Sequence, residues 1–408
     1  MKCRICGSEQ ISTQWALGDS SYGDLFKNSK QEAMALPKQS LTVGTCDECG
    51  MLQLLETPDE FELYEGYTYQ TKVTNNLDLF YKKLTEQVLS FYLQEDTSSG
   101  YILDIGSGDG SFLHIFKNLG WKTLGIEPST ILCNNSRARG IQTVNEFFQE
   151  GSGAKILEKY GYPSLISAHY VAANSNRPLE FFQEVSQLMG PNTVLSILTG
   201  YHLDQFAVNM FDYIGHDHVS YFSIKDLQLI SRQVGLCLID SQKYEHKGGS
   251  LHLILAQDSD AMRNQVSPNV FQLSQRELWV EQTGISSLGS LKERVRIESE
   301  KLQDYLRQNT TVKLYGIGAS TSTTYLVNYL GLNDVLVGLF DDDPIKLGKF
   351  SPGSGIPVLC MSDLHSLKPD TLIILAWQHT NRIVQRLQDM NFTGQLLIPL
   401  PNFRILNL

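Results

Sequence analysis

A chain of 408 residues, 42% hydrophobic and 10% aromatic, exceeds what one ordinary core organises and predicts two or three folded units. Its net charge of −11, with no block of Lys or Arg, argues against nucleic acid as a partner, because neutralising phosphates needs a basic face. The absence of any run of about 18 apolar residues, or of an apolar leader after Met1-Lys2-Cys3-Arg4, predicts a cytoplasmic chain with no membrane partner.

The first signal is a pair of knuckles, Cys3-x-x-Cys6-Gly and Cys46-x-x-Cys49-Gly. Four thiolates so spaced can surround one zinc ion, and glycine after each knuckle relieves the tight turn. Disulfides are the competing reading, disfavoured in a reducing cytoplasm. With all four positions taken by protein thiolates, the zinc is expected to be structural. Cys133, Cys237 and Cys360 are scattered and read as core residues. An aromatic stretch, Tyr64-x-x-Tyr67-x-Tyr69, follows. Phenols at alternate positions face one way in an extended segment and either pack a domain junction or line a cleft.

The chain is organised around residues 101–129. An apolar run, Tyr101-Ile102-Leu103, ends at Asp104, glycines stand at 106, 108 and 110, and helical apolar spacing follows from Ser111. A second strand, Thr123 to Ile126, ends at Glu127, where a carboxylate can accept both hydroxyls of a ribose. Three readings compete: a turn without a ligand, a nicotinamide site, and a site for S-adenosylmethionine. The Gly-x-Gly-x-Gly spacing, with an acid two places before the first glycine, differs from the dinucleotide fingerprint Gly-x-Gly-x-x-Gly. It resembles the first motif of class I S-adenosylmethionine-dependent methyltransferases. That resemblance makes Asp104, Gly106, Gly108, Gly110 and Glu127 the cofactor residues. A strand at Pro163–Ser167, a helix at Leu179–Met189 and a strand at Val194–Leu198 continue an α/β alternation, which predicts a doubly wound sheet.

The densest chemical cluster is Phe211-Asp-Tyr-Ile-Gly-His216-Asp217-His218-Val-Ser-Tyr221. In an extended segment the two histidines would face the same way. A metal site lacks another obvious ligand, and a capping box at Ser223 and Asp226 leaves the histidines unused. A general base with an orienting carboxylate is the leading reading. Residues 270–308 read as one long helical connector. A second strand and glycine turn, Thr311 to Ser322, opens a smaller Rossmann-like unit with further strands at Val335–Phe340 and Leu372–Trp377. Its hydroxyl-rich turn either holds phosphate or is only an element of the fold. The loop from Lys346 to Val358 reads equally as an anion site or an ordinary exposed loop.

In this order the motifs resemble the sugar C-methyltransferases of deoxysugar biosynthesis, which act on nucleotide-linked 4-keto sugars. The resemblance spans the chain and includes Lys247-Gly-Gly-Ser-Leu-His252. It implies a zinc-binding domain over 1–70, a methyltransferase domain over 71–260, a helical connector over 261–310 and a Rossmann-like substrate-binding domain over 311–408. It also implies that His218 is the base or its partner, supported by Asp217, with Tyr67 or Tyr69 facing the sugar. The chemistry of an enolate asks independently for donors to its oxygen, for which His216, Tyr67, Tyr69 and Tyr221 are the candidates. The family pattern has a tyrosine where this chain has Gly215, a histidine at Asn174, a glutamate at Asp217 and a lysine at Ser322. Those departures keep two alternatives open: an O- or N-methyltransferase on a related sugar, and a binding protein that has lost turnover. A monomer is the simplest oligomeric expectation.

Overall fold

The computed structural model describes residues 1–64, 77–93 and 100–408, so Tyr67 and Tyr69 lie outside the described residues. The knuckles are brought together by an antiparallel meander of β1 (Ile11–Ser20), β2 (Gln39–Cys46) and β3 (Leu52–Leu54). On β1 the alternation buries Trp15 and Leu17 and leaves Gln14 and Ala16 exposed, the period of a half-buried strand.

Next come β4 (Tyr101–Ile105), β5 (Lys122–Ile126), β6 (Gln142–Val144), β7 (Leu165–His169), β8 (Val194–Gly200), β9 (Ser220–Tyr221), β10 (Leu236–Tyr244) and β11 (Ser250–Gln257). Seven of them form one sheet in the order β10-β11-β8-β7-β4-β5-β6. β4 to β8 pair in parallel, whereas β11 runs antiparallel to both β8 and β10. That reversed hairpin departs from the six-stranded 3-2-1-4-5-6 order of dinucleotide sheets, so the nicotinamide reading loses its support. β4 is buried along its whole length, as a central parallel strand must be. The chain leaves β4 toward β5 on one side and reaches β7 on the other. The crevice above their carboxyl ends is the switch point where such sheets bind ligands.

β9 belongs elsewhere: it pairs antiparallel with β3, Leu52 against Tyr221, as the fourth strand of the N-terminal sheet. This pairing draws the His216–His218 segment out of the central sheet and over its switch point. The capping box at Ser223 and Asp226 is present and starts the helix Ile224–Gln233. The expected single connector is two helices, Pro268–Thr283 and Leu288–Gln308. Gly284 ends the first at φ +66, and the Ser287 side chain caps the second, so the register breaks between them.

β12 (Leu314–Ile317), β13 (Leu336–Asp341), β14 (Val358–Cys360), β15 (Thr371–Ile374), β16 (Gln395–Ile398) and β17 (Arg404–Asn407) form a third sheet. Its order is β14-β13-β12-β15-β16-β17, parallel except for β17, which is the Rossmann order. Trp15 and Val43 of the N-terminal sheet, Phe211 and Ile214, and Leu339 and Ile373 of the C-terminal sheet share one continuous core. A junction packed in this way holds whatever lies at it in fixed geometry. Among the described residues, no helix is long and apolar enough to cross a membrane.

Candidate active site

The four knuckle sulfurs converge. All lie within 4.8 Å of one another, with Cys3 to Cys49 at 3.6 Å and Cys6 to Cys46 at 3.5 Å. Those gaps are far too long for an S–S bond of about 2.05 Å. They match the spacing of about 3.8 Å that four bonds of about 2.3 Å to a tetrahedral zinc impose. Gly7 and Gly50 take φ of +74 and +84 and donate back to Cys3 and Cys46, closing each turn. Between the first two ligands, the Arg4 guanidinium donates to the carbonyls of Leu54, Glu56 and Val219. The metal knuckle is therefore tied to the residue after His218.

The glycine loop caps β4. Gly106, Gly108 and Gly110 all have positive φ, which L side chains rarely adopt. A Cβ on Gly106 would come within 2.4 Å of Val171, and one on Gly110 within 2.5 Å of Ser136. Only at Gly108 is the space open. Gly106 and Gly108 line a cavity of about 500 Å³, whereas Gly110 packs the loop onto the next helix and is not part of the lining. Asp104 is enclosed and accepts a 2.6 Å bond from Ser167, yet burial pushes its carboxyl up to about 7. Glu127 is raised by burial too, and its two oxygens accept the N–H groups of Gly108 and Ser129, each at 2.8 Å. Those bonds use half of the carboxylate's acceptor sites and leave the rest for a diol. Ile126, Leu132 and Phe148 complete an apolar wall beside it.

This donor set fits S-adenosylmethionine: open backbone and a buried acid for the amino-acid end, a fixed carboxylate for the ribose, apolar side chains for the base. Glu127→Gln is expected to raise the cofactor dissociation constant by roughly 10- to 100-fold in a calorimetric titration, the worth of one to two charge-assisted bonds. An unchanged constant would remove Glu127 from the cofactor site.

The cavity continues from the glycine loop to the His-Asp-His segment. Here the two histidines separate, contrary to the expectation for an extended strand. The N–H of His218 bonds the carbonyl of Gly215 at 3.1 Å, making a turn that sends them to opposite sides. His216 is fully buried, with Nε2 donating to the carbonyl of Ser40 and the ring against the edges of Tyr22 and Tyr325. It is absent from the cavity lining, as is Tyr221, whose phenol is buried at the β3 edge. Asp217 and His218 do line the cavity. His218 stacks on Tyr213 with centroids 4.0 Å apart, and its Nδ1 stands 3.5 Å from Asp217 Oδ1. Burial lowers the His218 pKa, and Asp217 restores only part of it.

Tyr64, Tyr213, Tyr325, Lys247 and His169, to none of which the sequence assigns a role, line the same cavity. Tyr64 donates to the backbone carbonyl of Asp217 at 3.2 Å. It opens the aromatic stretch that continues to Tyr67 and Tyr69, and Tyr213 lies in the Phe211–Tyr221 cluster. Tyr325 lies on the helix Thr321–Tyr329 among apolar neighbours, a pattern that carries no chemical signal of its own. At the far end the cavity meets Ala319–Ser322, where Ser320 caps the helix Thr321–Tyr329. Lys346 is there too, largely enclosed, 3.1 Å from Asp24 and donating to Ala319.

Three family models match in series: a zinc binding domain over residues 3–64, a methyltransferase domain over 77–241 and a C-methyltransferase C-terminal domain over 245–401. The C-methyltransferase NovU of Streptomyces niveus is 24% identical over 415 residues, covering 100% of this chain and 97% of its own. Solved structures include magnesium protoporphyrin IX methyltransferase from Synechocystis PCC 6803 with bound SAM, at 9% identity and TM-score 0.35, covering 47% of this chain and 87% of that one. The CcbJ methyltransferase from Streptomyces caelestis aligns at 10% identity and TM-score 0.34, covering 44% and 89%. The reversed-hairpin sheet, the glycine loop, the four-cysteine cluster and the serial domain matches agree: the chain is an S-adenosylmethionine-dependent methyltransferase with zinc as a structural ion, similar along its length to a C-methyltransferase.

Proposed function

We propose that the chain methylates a carbon beside the ketone of a nucleotide-linked keto-deoxysugar. The observation that carries this reading is the single cavity joining the glycine loop, His218 and the Ser320 helix start. A cofactor and an elongated second ligand can lie in it end to end, with the reacting carbon beside His218. S-adenosylmethionine, when bound, supplies an electrophilic methyl group. A C–H next to a ketone is acidic enough for a positioned base to remove.

His218 suits that task. Because burial lowers its pKa, the imidazole is neutral near pH 7 and free to accept a proton. With Nδ1 toward Asp217, Nε2 is the nitrogen that takes it, and the Asp217 carboxylate steadies the imidazolium that results. Tyr213 holds the ring plane by stacking, and Tyr64 fixes the Asp217 backbone. The C-terminal end of the cavity would take the nucleotide, with phosphate oxygens near the capped helix start.

A competition experiment tests the nucleotide linkage. A free nucleoside diphosphate is expected to inhibit methyl transfer competitively against the sugar and not against the cofactor. Free deoxysugar serving as well as its nucleotide-linked form would contradict it.

A further inference from the structure

We propose that Tyr325, carried by the helix Thr321–Tyr329 of the C-terminal sheet, supplies the hydroxyl that meets the substrate's developing oxyanion, in the space left open at Gly215. This rests on the enolate reading above.

The first observation is why residue 215 is glycine. Its φ lies outside the left-handed region, so the backbone there would accept any L residue. The constraint is space. A Cβ would stand 2.3 Å from Tyr325 Cε2, 2.9 Å from Cζ and 2.7 Å from Asp217 Oδ1. The phenyl ring of Tyr325 thus occupies the position into which a side chain at 215 would project, directly beside the acid–base pair. A phenol that the resemblance places on residue 215 is provided by another domain instead.

The second observation is how that phenol is held. Tyr325 is only 4% exposed, yet it lines the cavity together with Asp217 and His218. Its oxygen accepts the backbone N–H of Gly23 at 3.3 Å and of His216 at 3.2 Å. Thr324 donates to the carbonyl of the same Gly23 at 3.0 Å, so the helix is fastened at that point by two adjacent residues. Two N–H donors occupy the acceptor capacity of the phenol oxygen. They fix the ring, polarise the O–H, and leave donation as the hydroxyl's remaining function. Burial holds the phenol protonated, far above its usual range, so it donates a hydrogen bond and keeps its proton.

The step balances without Tyr325 changing protonation state. The C–H bond breaks, its proton goes to His218 Nε2, and its electron pair delocalises onto the ketone oxygen. The Tyr325 O–H then faces a full negative charge where it faced a neutral carbonyl. A donor preorganised for that charge acts on the transition state more than on the ground state. Because the N-terminal meander (Gly23), the central domain (His216) and the C-terminal helix all meet at this oxygen, the donor is in place only when the three domains are assembled.

The experiment uses the full zinc-loaded chain and whichever nucleotide-linked 4-keto sugar of a panel the wild type methylates. Tyr325→Phe keeps the ring and removes the hydroxyl. The expected result is a fall in kcat of about 10²- to 10³-fold, a parallel fall in solvent-deuterium exchange beside the ketone, and cofactor affinity within about twofold of wild type. A lowered melting temperature with unchanged kcat and exchange would make Tyr325 a packing residue and overturn the proposal. Since Phe strands two backbone N–H groups, a phenol swap gives a second reading. Gly215→Tyr combined with Tyr325→Ala returns a hydroxyl to the space, and is expected to exceed Tyr325→Ala alone by roughly tenfold or more in kcat. No gain from a folded swap variant counts against the donor role. A wild-type chain inactive on every keto sugar would instead overturn the enolate reading, and this role with it.

Discussion

Replacing His218 by asparagine is expected to lower kcat by about 10²- to 10⁴-fold, the usual worth of a positioned general base, and to abolish exchange beside the ketone. Asparagine preserves much of the shape stacked on Tyr213 but accepts no proton at neutral pH. Cofactor affinity should be unchanged, because Glu127 is held by the N–H groups of Gly108 and Ser129 rather than by residue 218. The pH profile follows from the same cause. Burial favours neutral imidazole, so the working form is fully present at pH 7 and is lost as pH falls through a pKa below 6.5. At saturating cofactor, kcat should be flat above neutrality and decline only on the acid side. Cofactor affinity should titrate separately, weakening as pH drops through about 7, because Asp104 gains a proton there and loses the negative charge it would offer the cofactor's ammonium group. A His218→Asn enzyme with wild-type turnover would remove the base from the account.

Loss of zinc is the second large effect. Cys3 and Cys46 are buried in the same core as Leu103, Ile166 and Leu195 of the central sheet, so the inner side of the metal site is part of the fold's interior while Cys6 stands at the surface. Without the ion, four thiols remain crowded at 3.5 to 3.6 Å contacts with no bond between them. Binding energies of structural zinc sites are on the order of 10 kcal/mol and act directly as folding energy. Cys46→Ser is therefore expected to empty the site, lower the melting temperature sharply, and abolish methyl transfer. Activity is lost as well as stability because Arg4, held between Cys3 and Cys6, donates to Val219 and so positions the neighbouring His218. Metal analysis, a thermal melt and a turnover assay on one preparation test this. Cys237→Ser, outside the cluster, should keep the metal. A zinc-free chain with normal melting and full kcat would contradict a structural role.

The elements with strong local signals were legible. The knuckles, the glycine loop and the alternation of β and α segments are set by turn chemistry and period, and the structure places them as expected. What could not be read was long-range. β9 is only two residues long and has no periodicity of its own, yet its pairing with β3 carries His218 over the cofactor crevice. The separation of His216 from His218 depends on one backbone bond to Gly215. Tyr325 has the pattern of a buried helix residue and gains a chemical role only because Gly23, His216 and Gly215 converge on it from other domains. Gly110 shows the converse: a motif residue whose glycine is needed for packing against Ser136 rather than for the cavity. Local motifs therefore pointed to the cysteine cluster and the glycine loop, and tertiary contacts decided what else lines the cavity.

The most direct test of the central claim is the mass and carbon position of the product. The purified zinc-loaded chain is incubated in deuterated water with S-adenosylmethionine and a panel of nucleotide-linked 4-keto sugars. The account predicts one methyl gained on the ring carbon beside the ketone, with deuterium incorporated at that carbon in unreacted substrate. A methyl found on oxygen or nitrogen, or tight cofactor binding with no methyl gain on any keto sugar, would contradict it.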